Sequence, residues 1–243
     1  MNINIITLFP GIFDSLNYSL LGQAIDREDI TINTYNLRES SMNKYGQIDD
    51  KPYGGGEGMV LMAEPLEKTL KRIPKVEVGQ VINLSPQGIL FNQAKAKELS
   101  KFNNITIIAG RYEGIDERFL SQYVDEEISM GDYILSGGEY AALAIIDACA
   151  RFLPGIIGNQ QSVEQDSFSN GILKGPVYTR PESFNSETVP DELLSGNHAL
   201  IKEWKDNQAL IRTYKRRPEL LKNIKLTKKQ KKLLEELASK DIL

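Results

Sequence analysis

Three glycine-containing clusters in the middle of the chain carry the residue types and spacing best suited to chemistry. They read LSPQG at residues 84–88, AGRYEG at 109–114 and SMGDYILSGGE at 129–139, and each follows a short β-like run. In an open α/β sheet, the loops at the carboxyl ends of adjacent strands line one crevice. Glycines in such loops let the backbone approach a ligand with no Cβ in the way. Any one cluster alone is better explained as an ordinary turn between a strand and a helix, but the three together predict a small-molecule site built mostly from main chain.

The familiar glycine-rich ligand motifs are absent from the sequence. Residues 54–58 read GGGEG and do not fit Gly-x-Gly-x-x-Gly, because the position that would need the last glycine is Met59. There is no Gly-Lys-Ser or Gly-Lys-Thr to hold a triphosphate. A Gly-x-Ser-x-Gly nucleophile elbow is also missing. The predicted site is therefore neither an ordinary dinucleotide crevice nor a phosphate-binding loop.

Composition and hydropathy describe a globular chain. Of 243 residues, 41% are hydrophobic and 26% are charged, which is typical of a protein with one large core or two modest ones. One of the longest apolar runs, residues 140–146, is far too short to cross a membrane, and the first residues lack the pattern of a secretory signal. A single cysteine, Cys149, excludes an internal disulfide, and a single histidine, His198, leaves zinc almost without ligands. We expect a cytoplasmic protein with no membrane partner, in which Cys149 is a small buried hydrophobe and His198 lies near a helix start.

Charge is distributed unevenly along the chain. Residues 201–243 hold thirteen Lys or Arg and six Asp or Glu, so this end is basic while the remainder is acidic. A basic end on an acidic body is a signal of nucleic-acid binding. Arg212, Arg216 and Arg217 strengthen it, because the arginine fork suits phosphate. Lysine-rich helix surfaces also serve solubility, so charge alone leaves both interpretations open.

Alternating strand-like and helix-like segments predict an α/β fold with a mostly parallel sheet and helices on both sides. The predicted strands span residues 2–8, 30–35, 76–84, 105–109 and 127–129, and the predicted helices span residues 65–72, 93–102 and 139–152. Phe13, Leu16, Leu20 and Ala24 have the spacing of one further helical face near the N-terminus.

Changes in composition divide the chain into two domains. Residues 1–158 carry the alternating pattern, residues 159–170 are polar and predict a flexible linker, and residues 171–243 form a small helical domain. Within the last part, Thr227 is a suitable N-cap for a helix over residues 228–238.

Further short strings match one protein family in their order along the chain. They are Leu8-Phe9-Pro10, residues 49–56 (DDKPYGGG), Gly58-Met59-Val60, Ile146-Asp147-Ala148 before Arg151, Asp166-Ser167-Phe168, Tyr178-Thr179-Arg180-Pro181 and residues 216–221 (RRPELL). Together with the three clusters, they make the chain resemble the bacterial tRNA (guanine-N1)-methyltransferases, the TrmD family of SPOUT-type enzymes with a deep trefoil knot. The resemblance runs nearly end to end. It is the sole support for a knot, because topology rules alone would reject one.

The chain departs from the usual family pattern at a few positions. Tyr140-Ala141 stands where Leu-Pro is common, Lys205 where Arg is usual and Gly11 where Glu is usual. None of these positions is one to which the resemblance assigns chemistry, although Ala141 borders the third cluster.

The resemblance implies that the three clusters bind S-adenosyl-L-methionine as methyl donor. The residues expected to hold it are Leu84, Ser85, Pro86, Gly110, Tyr112, Glu113, Gly114, Met130, Gly131, Asp132, Tyr133, Ile134, Leu135, Gly137 and Gly138. Among them, Glu113 is expected to meet an amino or hydroxyl group of the cofactor, or a magnesium ion. The resemblance suggests magnesium, but one carboxylate does not define a site, because this ion keeps most of its waters.

The resemblance also implies the reaction, which is methyl transfer to N1 of guanosine-37 of tRNA, next to the anticodon. An in-line displacement of this kind needs a base for the N1 proton and a fixed donor for the charge that spreads to O6. The matching positions are Asp166 as the base and Arg151 as the stabilising group. Without the resemblance, Asp166 is explained as a turn residue, and Arg151 as a surface partner of Asp147 one helical turn away.

The implied partners are the anticodon stem-loop of tRNA and a second copy of the chain. In the family, each active site is built from both subunits of a homodimer, so Asp166 is expected to act across the interface, and residues 53–56 are expected to face the substrate. The alternative is a non-catalytic RNA-binding protein that combines the basic tail with an α/β dimerisation domain.

Overall fold

The computed structural model describes residues 1–156 and 165–240. The chain divides into two compact units, Met1–Gly158 and Asn159–Leu243, each with its own secondary structure. Residues 159–164 of the predicted linker lie outside the described residues, and the predicted domain boundaries stay predictions.

The first unit is organised around a five-stranded sheet. Its strands and those of a small hairpin are β1 (Asn2–Thr7), β2 (Thr31–Asn36), β3 (Asp49–Asp50), β4 (Val60–Leu61), β5 (Gln80–Leu90), β6 (Asn104–Ile108) and β7 (Glu126–Ser129). The sheet has the order β2-β1-β6-β5-β7, and every neighbouring pair in it is parallel. This confirms the predicted α/β class. It also brings the carboxyl ends of β6, β5 and β7 side by side, where ligands bind in open parallel sheets.

Within residues 1–156, five α-helices accompany the strands. They are α1 (Ser19–Asp26), α2 (Ala63–Arg72), α3 (Gln93–Leu99), α4 (Glu117–Tyr123) and α5 (Glu139–Ala150). Asn92 caps α3 by accepting from two backbone N–H groups, and Asp116 caps α4. The guanidinium of Arg118 donates to the Asp116 carboxylate at 2.7 Å and holds the pKa of that carboxyl below its ordinary value. No helix within the described ranges is both long enough and apolar enough to span a bilayer.

The sheet is buried on both faces, which explains why its strands read as apolar runs. One core cluster joins β1 to α1, α3 and α5, with Ile3, Leu21 and Cys149 among its members. The other core cluster joins the opposite face to α2 and α4, with Leu66 and Phe119 fully buried. Cys149 is buried as predicted, and burial raises the pKa of its thiol to about 12. The helices therefore cover both sides of the sheet, as the sequence pattern predicted.

The first glycine-containing cluster is not the turn after a strand that its sequence suggests. Strand β5 continues to Leu90, and Leu84 and Ile89 both pair with Ile128, so the residues between them form a bulge within the strand. The close approach of Gly88 to β7 explains this course, since a Cβ on Gly88 would lie 2.3 Å from the carbonyl carbon of Glu127. The prediction that the strand ends at Leu84 was therefore wrong.

The predicted single helical face of residues 13–24 is divided in two. A 3-10 helix, Pro10–Asn17, is followed by α1, and Tyr18 between them is extended. This break changes the phase of the apolar positions. Leu21 is 6% exposed and belongs to the core, whereas Leu20 is 53% exposed.

The second unit is mostly helical. It contains a hairpin of β8 (Ser183–Phe184) and β9 (Glu187–Thr188), then α6 (Asp191–Leu194), α7 (His198–Arg216), a 3-10 helix (Pro218–Asn223) and α8 (Lys228–Lys240). His198 is the first residue of α7, as predicted. Thr227 and Gln230 exchange hydrogen bonds, with Thr227 Oγ1 accepting from the Gln230 N–H and Gln230 Oε1 accepting from the Thr227 N–H. This reciprocal cap confirms the predicted start of the last helix.

Candidate active site

The ends of β6 and β7 and the bulge of β5 enclose a cavity of about 520 Å³. All of the predicted cofactor residues line it except Asp132: Leu84, Ser85, Pro86, Gly110, Tyr112, Glu113, Gly114, Met130, Gly131, Tyr133, Ile134, Leu135, Gly137 and Gly138. Asp132 is the central residue of a tight turn in which the Tyr133 N–H donates to the Gly131 carbonyl at 2.9 Å, and it is exposed. The structure thus brings the three clusters together around one space, with Asp132 outside its lining.

A buried ion pair joins the loops around this cavity. The side chain of Glu139, at the start of α5, is 0% exposed, and its carboxylate lies 3.0 Å from Nη2 of Arg111. Nε of Arg111 donates to both carboxylate oxygens at 3.1 Å, and Thr7 Oγ1 donates to one of them at 3.0 Å. The Arg111 guanidinium also lies 4.3 Å from the ring centroid of Phe9. These contacts hold the ends of β1 and β6 and the start of α5 in one arrangement.

Two glycines allow main chains to approach each other closely at the cavity wall. The Gly138 N–H donates to the Gly110 carbonyl at 2.8 Å, and a Cβ on Gly138 would lie 2.9 Å from the Cα of Ala109. Gly131 has a φ of +140°, a conformation that side chains rarely adopt. Glycine is therefore required at these positions by local geometry, and the result is a cavity with main-chain groups at its surface.

Glu113 links the cavity to the segment before β4. Its N–H donates to the Met59 carbonyl at 2.9 Å, and a Cβ on Gly58 would lie 2.5 Å from Cγ of Glu113. The Leu61 N–H donates to the Gly114 carbonyl, also at 2.9 Å. The glycine-rich segment 54–58 is thereby fixed at one end to the second cluster.

Arg151 lies directly after α5 in the first unit. It is the C-cap residue of that helix, and its N–H donates to the Asp147 carbonyl at 3.3 Å. Its side chain is exposed. The cap position fixes the backbone of Arg151 to the same helix whose first residue, Glu139, anchors the cavity loops.

Asp166 belongs to the second unit and lies in a turn that is bound to α7. Lys174 Nζ lies 3.2 Å from Asp166 Oδ1, and the Lys174 N–H donates to Ser167 Oγ at 3.0 Å. The neighbouring Leu173 N–H donates to Thr213 Oγ1 on α7 at 3.0 Å, and Thr213 is fully buried. The position of the Asp166 carboxylate in this unit therefore depends on Lys174 and on the helix behind it.

Comparison with known proteins agrees with this geometry. Residues 1–223 match the family model described as "tRNA (Guanine-1)-methyltransferase TrmD". Two curated relatives, each called tRNA (guanine-N(1)-)-methyltransferase, come from Staphylococcus haemolyticus strain JCSC1435 at 50% identity and Staphylococcus aureus strain JH9 at 49% identity. Each match covers 97% of this chain and 96% of the relative. The chain belongs to the TrmD family.

Family membership confirms the resemblance drawn from the short strings, but the cavity also contains residues that sequence patterns did not single out. Four of them belong to the three clusters but were not assigned to the cofactor: Gln87, Arg111, Ser129 and Ser136. The others lie outside the clusters: Asn83, Ile115, Glu117, Leu120, Glu127, Ile128 and Ala141. A usable signal existed for Asn83, because a polar residue within an otherwise apolar strand demands a partner or a ligand. None existed for the pairing of Arg111 with Glu139, since the two residues are 28 positions apart and belong to different clusters.

The charges in the cavity lining are mostly negative. Glu113, Glu117 and Glu127 line it together with Arg111, and the Arg111 charge is already compensated by Glu139. The lining therefore favours a ligand that carries positive charge. Across residues 1–156 and 165–240, no cluster of three or more His, Cys, Asp or Glu side chains is arranged to hold a metal ion.

The buried ion pair generates a stability prediction. We expect Glu139→Gln to lower the free energy of unfolding by about 2 kcal/mol. This is somewhat less than the roughly 3–5 kcal/mol typical of a broken, fully buried pair, because Arg111 keeps 21% exposure. Urea unfolding followed by circular dichroism measures the change.

The matched control is Glu64→Gln on α2. Glu64 pairs with Lys68 at 3.1 Å, but both side chains are about half exposed, so we expect a loss of no more than about 1 kcal/mol. Equal losses in the two variants would contradict the anchoring role of Glu139.

Proposed function

We propose that this protein transfers the methyl group of S-adenosylmethionine to N1 of guanosine-37 in tRNA, next to the anticodon. The observation that carries the proposal is the cavity at the ends of β6, β5 and β7, in a chain whose residues 1–223 match the TrmD family. Because its proposed substrate is tRNA, the enzyme is expected to act in the cytoplasm.

The chemistry of the cavity lining supports S-adenosylmethionine as the donor. Its sulfonium adds a positive charge, which suits a lining that holds three glutamates and one compensated arginine. Main-chain groups of residues 130–135 and of Gly110 offer donors and acceptors to the adenine and ribose. Glu113 is the candidate partner for an amino or hydroxyl group of the cofactor. It is also the candidate ligand for magnesium, which needs only one or two carboxylates because it keeps several waters.

The roles of Asp166 and Arg151 follow from the family positions that they occupy. Asp166 takes the proton from N1, and the Arg151 guanidinium donates to O6 as negative charge develops there. The protein acts as a homodimer in which Asp166 of one subunit serves the site that contains Arg151 of the other. Lys174 Nζ lies 3.2 Å from Asp166 Oδ1, a partly exposed contact that helps to orient the carboxylate.

The second unit supplies the cationic groups for tRNA. Lys215 and Arg216 are exposed in the last turn of α7, and Arg217 follows with its guanidinium 6.0 Å from the ring centroid of Phe168. Because Phe168 lies two residues from Asp166, phosphate contacts at Arg217 would be made close to the proposed base.

The direct test is methyl transfer from methyl-labelled S-adenosylmethionine to tRNA. We expect incorporation into a transcript that carries G37 and none into the same transcript with A37, because adenine offers no N1–H and no O6 to the proposed groups. Binding of both transcripts without any incorporation would instead favour the non-catalytic RNA-binding alternative.

A second prediction tests Asp166 as the general base that accepts the N1 proton. Asp166→Asn retains size and polarity but cannot accept the N1 proton as a carboxylate does. It should slow single-turnover methyl transfer by about 10²–10⁴-fold, the range typical of general-base loss, with little change in the affinity for cofactor or tRNA.

Complementation tests the shared site. Mixing Asp166→Asn subunits with Arg151→Ala subunits should restore activity, since a heterodimer regains one intact site while neither homodimer does. Lack of rescue after confirmed subunit exchange would place both residues in the same subunit's site, and near-normal turnover by Asp166→Asn would exclude it as the base.

A third prediction concerns phosphate binding by the end of α7. The affinity for tRNA should fall with salt by roughly 0.9 log units per phosphate contact for each log unit of salt concentration. The double variant Arg216→Ala/Arg217→Ala should reduce this slope, as measured by filter binding at several salt concentrations.

The control removes two cations of α2 in the first unit. Lys68 and Lys71 each pair with a glutamate on their own helix, as Arg217 pairs with Glu219. Because α2 is not a proposed contact of tRNA, Lys68→Ala/Lys71→Ala should leave the slope unchanged. A slope that is equal in both double variants would mean that the basic end of α7 does not contact phosphate.

A further inference from the structure

Asn83 is a buried polar residue in the wall of the cavity. It lies on β5, is 4% exposed, and lines the cavity. Its Nδ2 donates to Oε2 of Glu127 on the neighbouring strand β7 at 2.7 Å. Within the described ranges, its Oδ1 is buried and has no hydrogen-bond partner. A buried acceptor without a partner is unfavourable, and native proteins rarely leave one.

The orientation of the Asn83 amide is fixed by Glu127. A carboxylate accepts hydrogen bonds, so only the NH₂ group can face it, and turning the amide over would place two acceptors against each other. Oδ1 must therefore point away from Glu127. Gly110 lies on that side, since a Cβ built there would be 3.9 Å from Asn83 Oδ1.

Another buried asparagine of the same sheet has partners for its amide. Asn4, which is 0% exposed, donates to the Glu77 carbonyl at 2.8 Å and accepts from Asn33 Nδ2 at 3.2 Å. The fold thus provides partners for a buried amide where no ligand is involved. Asn83 differs in that it lines the cavity and that its Oδ1 has no partner among the described residues.

We propose that Asn83 is a specificity-determining residue, whose Oδ1 accepts a hydrogen from an O–H or N–H donor of the bound cofactor, with Glu127 as its positioning residue. The proposal rests on the proposed use of S-adenosylmethionine. A site built to accept a hydrogen from a ligand discriminates against an analogue that lacks the donor, because the buried acceptor is then left unpaired. The cofactor would therefore need one particular donor group, facing Asn83, in order to bind tightly.

The experiment couples changes in the protein to changes in the ligand. Isothermal titration measures the affinity for S-adenosylhomocysteine and for four analogues, which lack the 2′-hydroxyl, the 3′-hydroxyl, the adenine N–H donors (as the dimethylamine) or the α-amino group. With the unsubstituted protein, we expect one analogue to lose about tenfold in affinity through the missing hydrogen bond to Asn83. In Asn83→Leu, that specific loss should disappear, while the effects of the other three changes stay the same.

A second variant exchanges the amide and the carboxylate between residues 83 and 127. Asn83→Asp combined with Glu127→Gln retains one amide–carboxylate hydrogen bond and the formal charge, and it leaves an oxygen acceptor on residue 83. Discrimination against the same analogue should therefore return. Urea unfolding checks that each variant is folded, and Asn83→Ala replaces Asn83→Leu if the larger apolar side chain prevents folding.

The outcomes separate this inference from the proposed function. Failure of the unsubstituted protein to bind S-adenosylhomocysteine would contradict the proposed cofactor itself. Binding in which Asn83→Leu and the unsubstituted protein discriminate equally among all four analogues would overturn the role of Asn83 alone, and would leave its amide as a partner of Glu127 and water only.

Discussion

The arrangement of the cavity depends on the carboxylate of Glu139, which is completely removed from solvent. A buried charge is strongly unfavourable unless an opposite charge and hydrogen bonds compensate it. Arg111 and Thr7 provide these, and they belong to the ends of two neighbouring strands. One electrostatic requirement therefore fixes three segments that apolar packing would leave free to shift. The hydrophobic clusters below them stabilise the sheet, but they do not determine how its loops meet.

The same ion pair has a consequence for the cavity. The ion pair with Glu139 compensates the positive charge of Arg111. The glutamates of the lining therefore make the electrostatic potential in the cavity negative. Gly138 approaches Ala109 so closely that a Cβ would not fit between them, and this leaves main-chain groups at the cavity wall. A site of this kind recognises a ligand by shape, by main-chain hydrogen bonds and by sign of charge. Such recognition suits a nucleoside that carries a sulfonium.

Sequence patterns predicted the sheet, the helices on both of its faces and the three clusters that meet at the cavity. These features follow from local apolar runs and from glycines, whose effects act over a few residues. The bulge at residues 85–88 was missed because it depends on the contact of Gly88 with the neighbouring strand β7. Asn83 with Glu127 and Arg111 with Glu139 were missed for the same reason. A partner that lies on another strand or beyond a loop leaves no periodic signal in the chain.

The proposed mechanism assigns the methyl donor and the base to different units of the chain. Asp166 is held by Lys174 and, through Leu173, by the buried Thr213 of α7. The cationic end of the same helix, at Lys215 and Arg216, is the proposed tRNA contact. The proposed base therefore lies in a turn that is bound to the helix whose end is the proposed RNA contact, and both are separate from the loops proposed to hold the cofactor. In the proposed mechanism, binding of the RNA at the end of α7 would also position the base, so that substrate selection and proton abstraction would depend on the same contacts.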